Sequence, residues 1–252
     1  MEDLRGRTAL VTGASGGIGG AIARAYAQQG MRVAIHYHSH THAAQETLNG
    51  MPGEGHRLVQ ADLSDPEAVR RMIHSVAATF DGLDVLVNNA GIFEYTPFDT
   101  PDYADWQAGW KHVLDTNLLS AVNATYCVLP IMKAQGGGKI INIASRSAFR
   151  AETTAPAYAV SKAGMVNLTR CLARAEAQSG ILSYCIAPGF VETAMARPGM
   201  DTMAAEILAQ IPLGRIATVE DVAGVAVFLA SSAANYLTGV TIPVTGGSWM
   251  ST

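Results

Sequence analysis

The sequence predicts a doubly wound α/β fold: a single domain spanning 1–252, built around a mostly parallel sheet of seven strands. Three observations predict it. Short apolar runs alternate with helical stretches along the whole chain, a glycine-rich turn follows the first run, and no linker, repeat or low-complexity segment divides the 252 residues. Strands separated by helices form right-handed crossovers, which give a parallel sheet covered by helices on both faces.

The strands are predicted where short apolar runs are bounded by turn residues. They are expected at Thr8–Thr12, Arg32–Tyr37, Arg57–Ala61, Leu83–Asn88, Lys139–Ala144, Ile181–Ile186 and Val240–Val244. A helix with apolar residues at helical spacing follows the first strand and ends at Gly30, and another covers the forties. Gln135–Gly138 is interpreted as a helix stop before the fifth strand.

The composition indicates a compact protein without a nucleic-acid or membrane partner. Apolar residues make up 49%, charged residues 15%, and the net charge is −4, so nothing attracts a nucleic acid or an anionic membrane. No apolar run could span a bilayer, and the N-terminal segment is unlike a signal peptide. The cysteines Cys127, Cys171 and Cys185 lie in apolar sequence and are interpreted as reduced core thiols of a cytoplasmic protein.

The glycine-rich turn, Thr12–Gly19, joins the first strand to the first helix. Gly13 can adopt backbone angles that a β-carbon forbids, whereas Gly17 and Gly19 allow the helix start to approach a pyrophosphate. The helix N–H groups and the Ser15 hydroxyl would then bind phosphate oxygens. An ordinary tight turn is the alternative, because the spacing departs from the G-x-G-x-x-G fingerprint.

Polar residues also follow two further strands. Asp62 comes after the third strand, and Asn88–Gly91 ends the fourth. Ligands of parallel sheets bind at the carboxyl ends of the strands, so both segments are candidates for the same crevice. A simple turn is the alternative for the two asparagines.

Tyr158 and Lys162 stand four residues apart at the start of a predicted helix, which places them on one face. A phenol is a poor acid or base at neutral pH, and a nearby ammonium would lower its pKa towards a useful range. Ser145 could stabilise charge on a substrate oxygen, and Asn117 could hold a water that relays protons to Lys162. Taken alone, such a Tyr/Lys pair usually consists of exposed residues without a catalytic role. The glycine-rich turn in the same chain favours the catalytic interpretation.

The sequence resembles the short-chain dehydrogenase/reductases over essentially its whole length. Four motifs in the order and spacing of that family carry the resemblance: Thr12-Gly-x3-Gly-x-Gly19, Asn88-Asn-Ala-Gly91, Tyr158-x3-Lys162 and Pro188-Gly-Phe-Val-Glu-Thr193. The resemblance implies a Rossmann fold and NAD(P)-dependent hydride transfer between a carbonyl and an alcohol. It also implies a homo-oligomer, commonly a tetramer, with the Tyr158 helix and the C-terminal stretch from Pro243 as contact surfaces.

The same resemblance implies a role for each catalytic candidate. Tyr158 would be the general acid/base, and Lys162 would hold the nicotinamide ribose and tune Tyr158. Ser145, thirteen residues before Tyr158, would polarise the carbonyl, with Ser147 as the alternative serine. Asn117 would complete the proton relay.

A larger set of residues is expected to bind the cofactor through the glycine-rich turn, the strand ends and the Pro-Gly motif. These are Gly13, Ser15, Gly17, Ile18, Gly19, Tyr37, His38, Ser39, Asp62, Leu63, Asn89, Ala90, Gly91, Tyr158, Lys162, Pro188, Gly189, Val191 and Thr193. The family resemblance implies that Pro188–Gly189 and Val191–Thr193 contact the nicotinamide amide. It further implies a mobile substrate lid from Ala194 to Gln210.

The end of the second strand favours NADP(H) over NAD(H). NAD users place an acidic residue there, and counting from Gly19 gives Tyr37 instead. The usual arginine of NADP users is missing too, because those positions hold Gly16 and His38. His38, Ser39 and a helix N-terminus could still bind a 2′-phosphate. His36-Tyr-His38 also resembles pteridine reductases, which use NADPH.

Four histidines at period two, from His36 to His42, allow a second interpretation as a metal site. Alternate residues of a strand share a face, so their rings could converge. The strand is expected to end near His38, however, so the later histidines would lie in a loop. This favours the interpretation that they form polar surroundings for the adenosine and bind no metal.

The substrate is the least determined feature. Ile211–Ile216, Glu220–Ala223 and Tyr236–Val240 are typical of 3-oxoacyl-(acyl-carrier-protein) reductases, the nearest resemblance. Those reductases present basic residues around the site entrance, which dock the acidic carrier protein. The comparable positions here, Gln135–Gly136 and Gln178–Ser179, are neutral. A small-molecule carbonyl or alcohol is therefore expected: a ketone, a 3-oxoacyl or 3-hydroxyacyl compound, a sugar or a steroid. An NAD-dependent sugar or secondary-alcohol dehydrogenase is the alternative enzyme, and a non-catalytic nucleotide sensor is the alternative class.

Overall fold

The structure, a computed structural model, describes residues 2–250; for residues 198–202 it describes the backbone alone. Within this range seven parallel strands form one sheet in the order β3-β2-β1-β4-β5-β6-β7. The strands are β1 Thr8–Val11, β2 Arg32–Tyr37, β3 Arg57–Gln60, β4 Val85–Asn88, β5 Gly138–Ile143, β6 Ile181–Pro188 and β7 Thr241–Val244. This confirms the predicted fold class. The predicted bounds 1–252 extend to Met1, Ser251 and Thr252, which lie outside the described residues.

The fourth strand begins two residues later than predicted, because side chains replace its first ladder bonds. The Asp84 carboxylate accepts from the Thr8 N–H (2.8 Å) and the Thr8 hydroxyl (2.9 Å). The Gln135 amide binds both the N–H (3.1 Å) and the carbonyl (2.9 Å) of Leu83. The start of the strand is thus joined to its neighbours by hydrogen bonds that do not belong to the sheet.

Helices cover both faces of the sheet. They are α1 Gly17–Gln28, α2 Thr41–Asn49, α3 Pro66–Phe80, α4 Tyr103–Leu114, α5 Ser120–Ala134, α6 Pro156–Glu176, α7 Arg197–Ala209 and α8 Val219–Ala230. Alternate strand residues enter opposite cores: Val11 and Val87 pack in the cluster that contains α1 and α8 residues, whereas Leu10 and Leu86 pack with α3 and α5 residues. A sheet buried on both faces needs apolar residues at nearly every strand position, which explains the unbroken apolar runs.

Tyr184 of β6 belongs to the hydrophobic core. Tyr184 is fully buried, and its hydroxyl donates to the carbonyl of Ala234 (3.0 Å). Burial raises the pKa of the Tyr184 phenol to about 12. The residue therefore has a structural role away from the strand ends.

The cysteines are all free, but they do not share one environment. Cys185 is buried and Cys127 is half-buried, whereas Cys171 is exposed. The prediction of three core thiols is wrong for Cys171, because α6 turns this residue outwards while its neighbour Leu172 packs inwards.

Candidate active site

The glycine-rich turn lies at the carboxyl end of β1, next to the end of β4. Gly13 and Gly17 have φ angles of 63° and 54°, in the left-handed region. A β-carbon on Gly13 would lie 2.9 Å from the Ala90 Cα, and one on Gly19 would lie 2.4 Å from the Asn89 Nδ2. Glycine at position 13 therefore allows the turn to approach the Ala90 backbone, and glycine at position 19 leaves room for the Asn89 side-chain amide.

Open space surrounds the other side of the turn. A β-carbon on Gly16 would meet no atom within 4 Å, and one on Gly17 would reach only Thr193, at 3.6 Å. Gly16 precedes the first turn of α1 and supplies no side-chain cap. The N-terminus of α1 thus faces a cradle bounded by Thr193, which suits the phosphates of a dinucleotide.

The Asn88–Gly91 motif joins β4 to the glycine-rich turn. The Asn89 Nδ2 donates to the carbonyls of Thr12 (2.8 Å) and Gly13 (3.1 Å), and the Thr12 hydroxyl accepts from the N–H groups of Asn89 (2.9 Å) and Ala90 (3.0 Å). Asn88 lies in the interior instead, where its Nδ2 donates to the Asn142 Oδ1 (2.9 Å). The Asn89 amide therefore holds the turn in shape.

His36 is a site residue whose role sequence reasoning missed. Its ring is 2% exposed, its Nδ1 accepts from the Gly13 N–H (3.0 Å), and its Nε2 donates to the Ala61 carbonyl (3.1 Å). Because Nδ1 accepts, the proton must be on Nε2. Burial lowers the pKa of His36 to about 4. The neutral ring thus connects the glycine-rich turn to the end of β3.

The remaining histidines of the period-two pattern are exposed, and two of them face separate carboxylates. The His38 Nε2 lies 3.9 Å from Asp62, and the His42 Nδ1 lies 3.6 Å from Glu46. Both ring nitrogens of His36 are already bonded. Among the described residues no group of three or more potential metal ligands occurs, so the metal interpretation finds no supporting cluster.

The other residues predicted around the adenosine lie together at the ends of β2 and β3. Tyr37 is the last residue of β2 and is half-buried, whereas His38 and Ser39 follow it on the surface. Asp62 accepts from the Ser64 N–H (2.9 Å) and hydroxyl (2.7 Å), and these bonds lower the pKa of its carboxyl. Leu63 is buried beneath them.

We expect His36→Leu to weaken cofactor binding and folding together. The change leaves the Gly13 N–H and the Ala61 carbonyl without their partner, which costs about 1–3 kcal/mol in the free energy of unfolding. Loosening of the turn should also raise the Kd for NADPH by about tenfold. Denaturant unfolding and fluorescence titration measure the two effects; an unchanged Kd would show that the ring does not position the turn.

The same residue predicts a dependence of stability on pH. The pKa of His36 is about 4 in the folded chain against an ordinary 6.5, so between these values the unfolded chain binds a proton that the folded chain does not. Stability should therefore fall as the pH drops from about 6.5 to about 4. This slope should diminish in His36→Leu and persist in a control variant of the exposed His74, His74→Gln; equal slopes in both would contradict the assignment.

Tyr158 and Lys162 occupy the first turns of α6, which begins at Pro156. The Lys162 Nζ is buried and donates to the Ile143 carbonyl at the end of β5 (2.9 Å). Burial lowers the pKa of Lys162 to about 8. The Nζ lies 5.7 Å from the centroid of the Tyr158 ring, so the two side chains share the predicted face.

The pKa of Tyr158 departs from the sequence prediction. Burial of the phenol raises its pKa, and a hydrogen bond with Ser145 opposes that shift. The prediction that the Lys162 ammonium brings this pKa down is wrong for the chain by itself, because desolvation of the phenol outweighs the attraction of a charge several ångströms away.

The structure distinguishes the two candidate serines. The Ser145 side chain faces the Tyr158 hydroxyl, whose pKa it lowers, and the Ser145 hydroxyl accepts from the Ser147 N–H (3.1 Å). The Ser147 hydroxyl instead faces Glu152, at 3.5 Å. Ser145 is therefore the serine beside the Tyr158 hydroxyl.

Asn117 lies in a π-helical segment, Asp115–Leu119, between α4 and α5. Its Oδ1 accepts from the Ile92 N–H (2.8 Å), and its Nδ2 donates to the Ile92 carbonyl (2.9 Å) and the Ser161 hydroxyl (3.2 Å). A β-carbon on Gly91 would lie 3.2 Å from the Asn117 Oδ1 and 3.3 Å from the Lys162 Nζ. Asn117 and Lys162 thus face the same point of the crevice, and the water relay between them stays a prediction.

The segment Pro188–Thr193 closes the crevice opposite the glycine-rich turn. A β-carbon on Gly189 would lie 3.2 Å from the Thr245 Cα, so close backbone approach requires glycine there. Val191 pairs with Ala217 in an isolated parallel bridge, and the Thr193 hydroxyl accepts from the Ala196 N–H (3.3 Å). The predicted nicotinamide contacts therefore border the same crevice as Gly17 and Tyr158.

Comparison with known proteins identifies the family. The family model described as enoyl-(acyl carrier protein) reductase matches residues 13–248. The chain is 37% identical over 246 residues to the 3-oxoacyl-[acyl-carrier-protein] reductase FabG of Staphylococcus aureus strain Mu50, covering 97% of this chain and 98% of that protein. The chain belongs to the short-chain dehydrogenase/reductase family. The resemblance of the four motifs is thereby confirmed, as is the assignment to an oxidoreductase.

Further relatives of this short-chain dehydrogenase/reductase carry different names. Nodulation protein G of Rhizobium sp. strain N33 is 40% identical over 248 residues, with 98% of each chain covered. A candidate short-chain alcohol dehydrogenase from Sinorhizobium meliloti 1021 superposes with a TM-score of 0.90 at 38% identity, covering 98% of this chain and 97% of that one. A candidate gluconate dehydrogenase from Agrobacterium tumefaciens gives 0.91 at 35% identity, with the same coverage.

Aromatic side chains make ring contacts next to Tyr158 and in the segment that follows Ser145. The Phe93 ring packs edge-on against Tyr158, with centroids 5.1 Å apart, and Phe149 stacks on Trp249 at 4.2 Å. No local sequence pattern predicts these contacts, because the partners are far apart along the chain. Within residues 2–250, the structure has no helix with the length and apolarity needed to cross a bilayer.

Proposed function

We propose that this chain is an NADP(H)-dependent oxidoreductase that transfers a hydride between the nicotinamide and a carbonyl/alcohol pair, acting as a ketone or 3-oxoacyl reductase. One observation carries the proposal: Tyr158, the facing Ser145 side chain and the buried Lys162 lie beside the glycine cradle at the carboxyl ends of β1, β4 and β5. A non-catalytic nucleotide sensor would have no need of this arrangement.

The glycine cradle fits a dinucleotide. The α1 N-terminus and the Ser15 hydroxyl would bind the pyrophosphate, and the ends of β2 and β3 would hold the adenosine. Asn89-Ala90-Gly91 and Pro188–Thr193 would flank the nicotinamide half. When bound, the cofactor supplies or accepts the hydride.

Tyr158 would act as the general acid/base. During reduction its hydroxyl would donate a proton to the substrate oxygen, while Ser145, which faces the Tyr158 hydroxyl, would donate to the same oxygen and stabilise the developing charge. Burial raises the pKa of Tyr158, which favours the protonated form that a reduction requires. Lys162 would hold the nicotinamide ribose and, with Asn117, return a proton to the phenolate.

The preference for NADP(H) rests on the end of β2. Tyr37 occupies the last position of that strand, so no carboxylate there repels a 2′-phosphate. His38 and Ser39 are exposed beside it and are available to the phosphate. The Asp62 carboxylate is engaged by Ser64.

We expect Tyr37→Asp to shift the preference towards NAD by about tenfold or more, because a carboxylate would accept from the ribose hydroxyls and repel a 2′-phosphate. The ratio of Kd values for NADPH and NADH measures the shift. Tyr37→Asn is the matched variant without the charge and should move the ratio less. An unaltered ratio in Tyr37→Asp would refute this reading of β2.

A free small molecule suits the site better than a carrier-bound acyl group. Gln135, at one of the expected carrier-docking positions, uses its amide to bind Leu83, so it presents neither charge nor a free donor. The likeness to a candidate gluconate dehydrogenase supports a second candidate function, the oxidation of a sugar-derived alcohol. Measured turnover in both directions separates the two.

Three further assignments belong to the same proposal. We assign the whole chain, 1–252, to one catalytic domain and the segment 194–210 to a substrate lid. Within it α7 is interrupted at Met203, whose φ of −130° and ψ of 25° are not helical, and Met195 and Leu208 are exposed. We also propose a cytoplasmic homotetramer, to be checked by light scattering.

Titration with NADPH and NADH, followed by turnover of a panel of ketones and β-ketoesters, tests the proposed function. Tighter binding of NADPH with turnover would support the reductase. Binding without turnover of any carbonyl, but with oxidation of alcohols, would favour the dehydrogenase. Binding of neither cofactor would overturn the proposal.

A further inference from the structure

An arginine directly beside the proposed catalytic serine is buried without a charge partner. Arg146 follows Ser145 and begins the 3-10 turn Arg146–Ala148. The residue is 8% exposed, and its Nη1 is buried without a hydrogen-bond partner in the described part of the chain. An unpartnered guanidinium nitrogen in the interior is unfavourable, because its lost hydration is not replaced.

The surroundings of Arg146 compensate its positive charge only in part, through the attraction of the Glu152 carboxylate without an ion pair. Its Cζ lies 4.0 Å from the centroid of the Phe190 ring, in the Pro188–Thr193 segment that borders the crevice. Glu152 is the nearby acid, but it faces the Ser147 hydroxyl, and no ion pair of residues 2–250 includes Arg146. Arg150 adds a second positive charge nearby, and burial lowers the pKa of Arg146.

The position of this arginine connects it to the substrate. The Ser145 side chain faces the Tyr158 hydroxyl, the reacting oxygen is proposed to lie between these two groups, and Arg146 is the residue that follows Ser145. Phe190 fixes the plane of the guanidinium by stacking. A planar guanidinium forms two parallel hydrogen bonds with a carboxylate.

We propose that Arg146 binds a carboxylate of the substrate, so that the preferred substrate is the anion of an oxo acid or of the corresponding hydroxy acid. The inference rests on the proposed function, since it names the substrate class of the same site. The carboxylate takes no part in the bond changes. It orients the carbonyl towards Ser145 and Tyr158 and supplies the negative charge that pairs with the Arg146 guanidinium.

The test compares oxo acids with their uncharged esters. Reduction of 3-oxobutanoate, 4-oxopentanoate and 5-oxohexanoate with NADPH is measured beside reduction of their methyl esters. We expect at least one acid to exceed its ester in kcat/KM by tenfold or more, a typical effect of a charge-assisted hydrogen bond. Equal values for acid and ester across the series would overturn the inference while leaving the proposed function intact.

Variants of Arg146 and Arg150 show which residue causes the preference for the acid over its ester. Arg146→Gln should abolish the preference for the acid, mainly through KM, whereas Arg146→Lys should keep part of it. Arg150→Gln is the matched control: it removes an exposed positive charge from the same loop and should keep the preference. Loss of the preference in Arg150→Gln alone, or its survival in Arg146→Gln, would refute the assignment.

A binding experiment separates failure of the inference from failure of the proposed function. Calorimetric titration of the protein with 4-oxopentanoate, in the presence of NADP⁺, needs no turnover. Binding of the acid but not of its methyl ester, lost in Arg146→Gln, would support the carboxylate subsite even if no carbonyl is reduced. If the acid and the ester bind alike, or if Arg146→Gln binds the acid as well as the wild type does, the subsite is refuted.

Discussion

Tyr158→Phe should lower kcat by about 10²–10⁴-fold, the usual contribution of a positioned general acid. Phenylalanine keeps the ring that packs against Phe93, at 5.1 Å between centroids, but it lacks the hydroxyl that faces Ser145. Binding of NADPH should therefore survive. Steady-state turnover and fluorescence titration on the same preparation measure the two effects.

The control for this change is Tyr236→Phe, which removes a hydroxyl from a fully exposed tyrosine and should leave both quantities unaltered. A loss of rate below about tenfold in Tyr158→Phe would contradict the acid–base role, because such a small effect is within reach of altered packing.

Lys162→Ala should reduce both the rate and the affinity for NADPH. The Lys162 Nζ donates to the Ile143 carbonyl (2.9 Å) and faces the space next to Gly91, where the nicotinamide ribose is proposed to lie. We expect kcat/KM to fall by about 10²-fold or more and the Kd for NADPH to rise by about tenfold. Unchanged affinity would remove the ribose role.

Because alanine also leaves a cavity, Lys162→Met is the second variant: it keeps the volume and loses only the charge and the donor. Both variants are first compared with the wild type in thermal unfolding. If Lys162→Met binds NADPH and turns over as the wild type does, the defect of Lys162→Ala is one of packing.

The pH profile gives an independent readout of this lysine. Burial lowers the pKa of Lys162 to about 8, so the ammonium is lost as the pH rises through that value. In the free enzyme, kcat/KM for reduction should fall above a pH of about 8, and this step should be absent in Lys162→Met. A profile that stays flat to pH 9 in the wild type would contradict the charged role.

Local sequence was sufficient for the fold and for the position of the site. Unbroken apolar runs that alternate with helical periodicity gave seven strands to within two residues at either end, because a sheet buried on both faces dictates that pattern. The glycines of Thr12–Gly19 and the Tyr158–Lys162 spacing are likewise local constraints. A left-handed φ angle or a shared helix face depends on a few consecutive residues.

Tertiary structure decided which side chains meet. Only the packed sheet brings His36 between Gly13 and Ala61, and only the chain reversal after β5 places Ser145, rather than Ser147, beside Tyr158. It also leaves Arg146 against Phe190 without a charge partner. These contacts join segments that are distant along the chain, so no spacing encodes them. Desolvation likewise decides the direction of each pKa shift at Tyr158 and Lys162, because burial is a property of the whole fold and of no local motif.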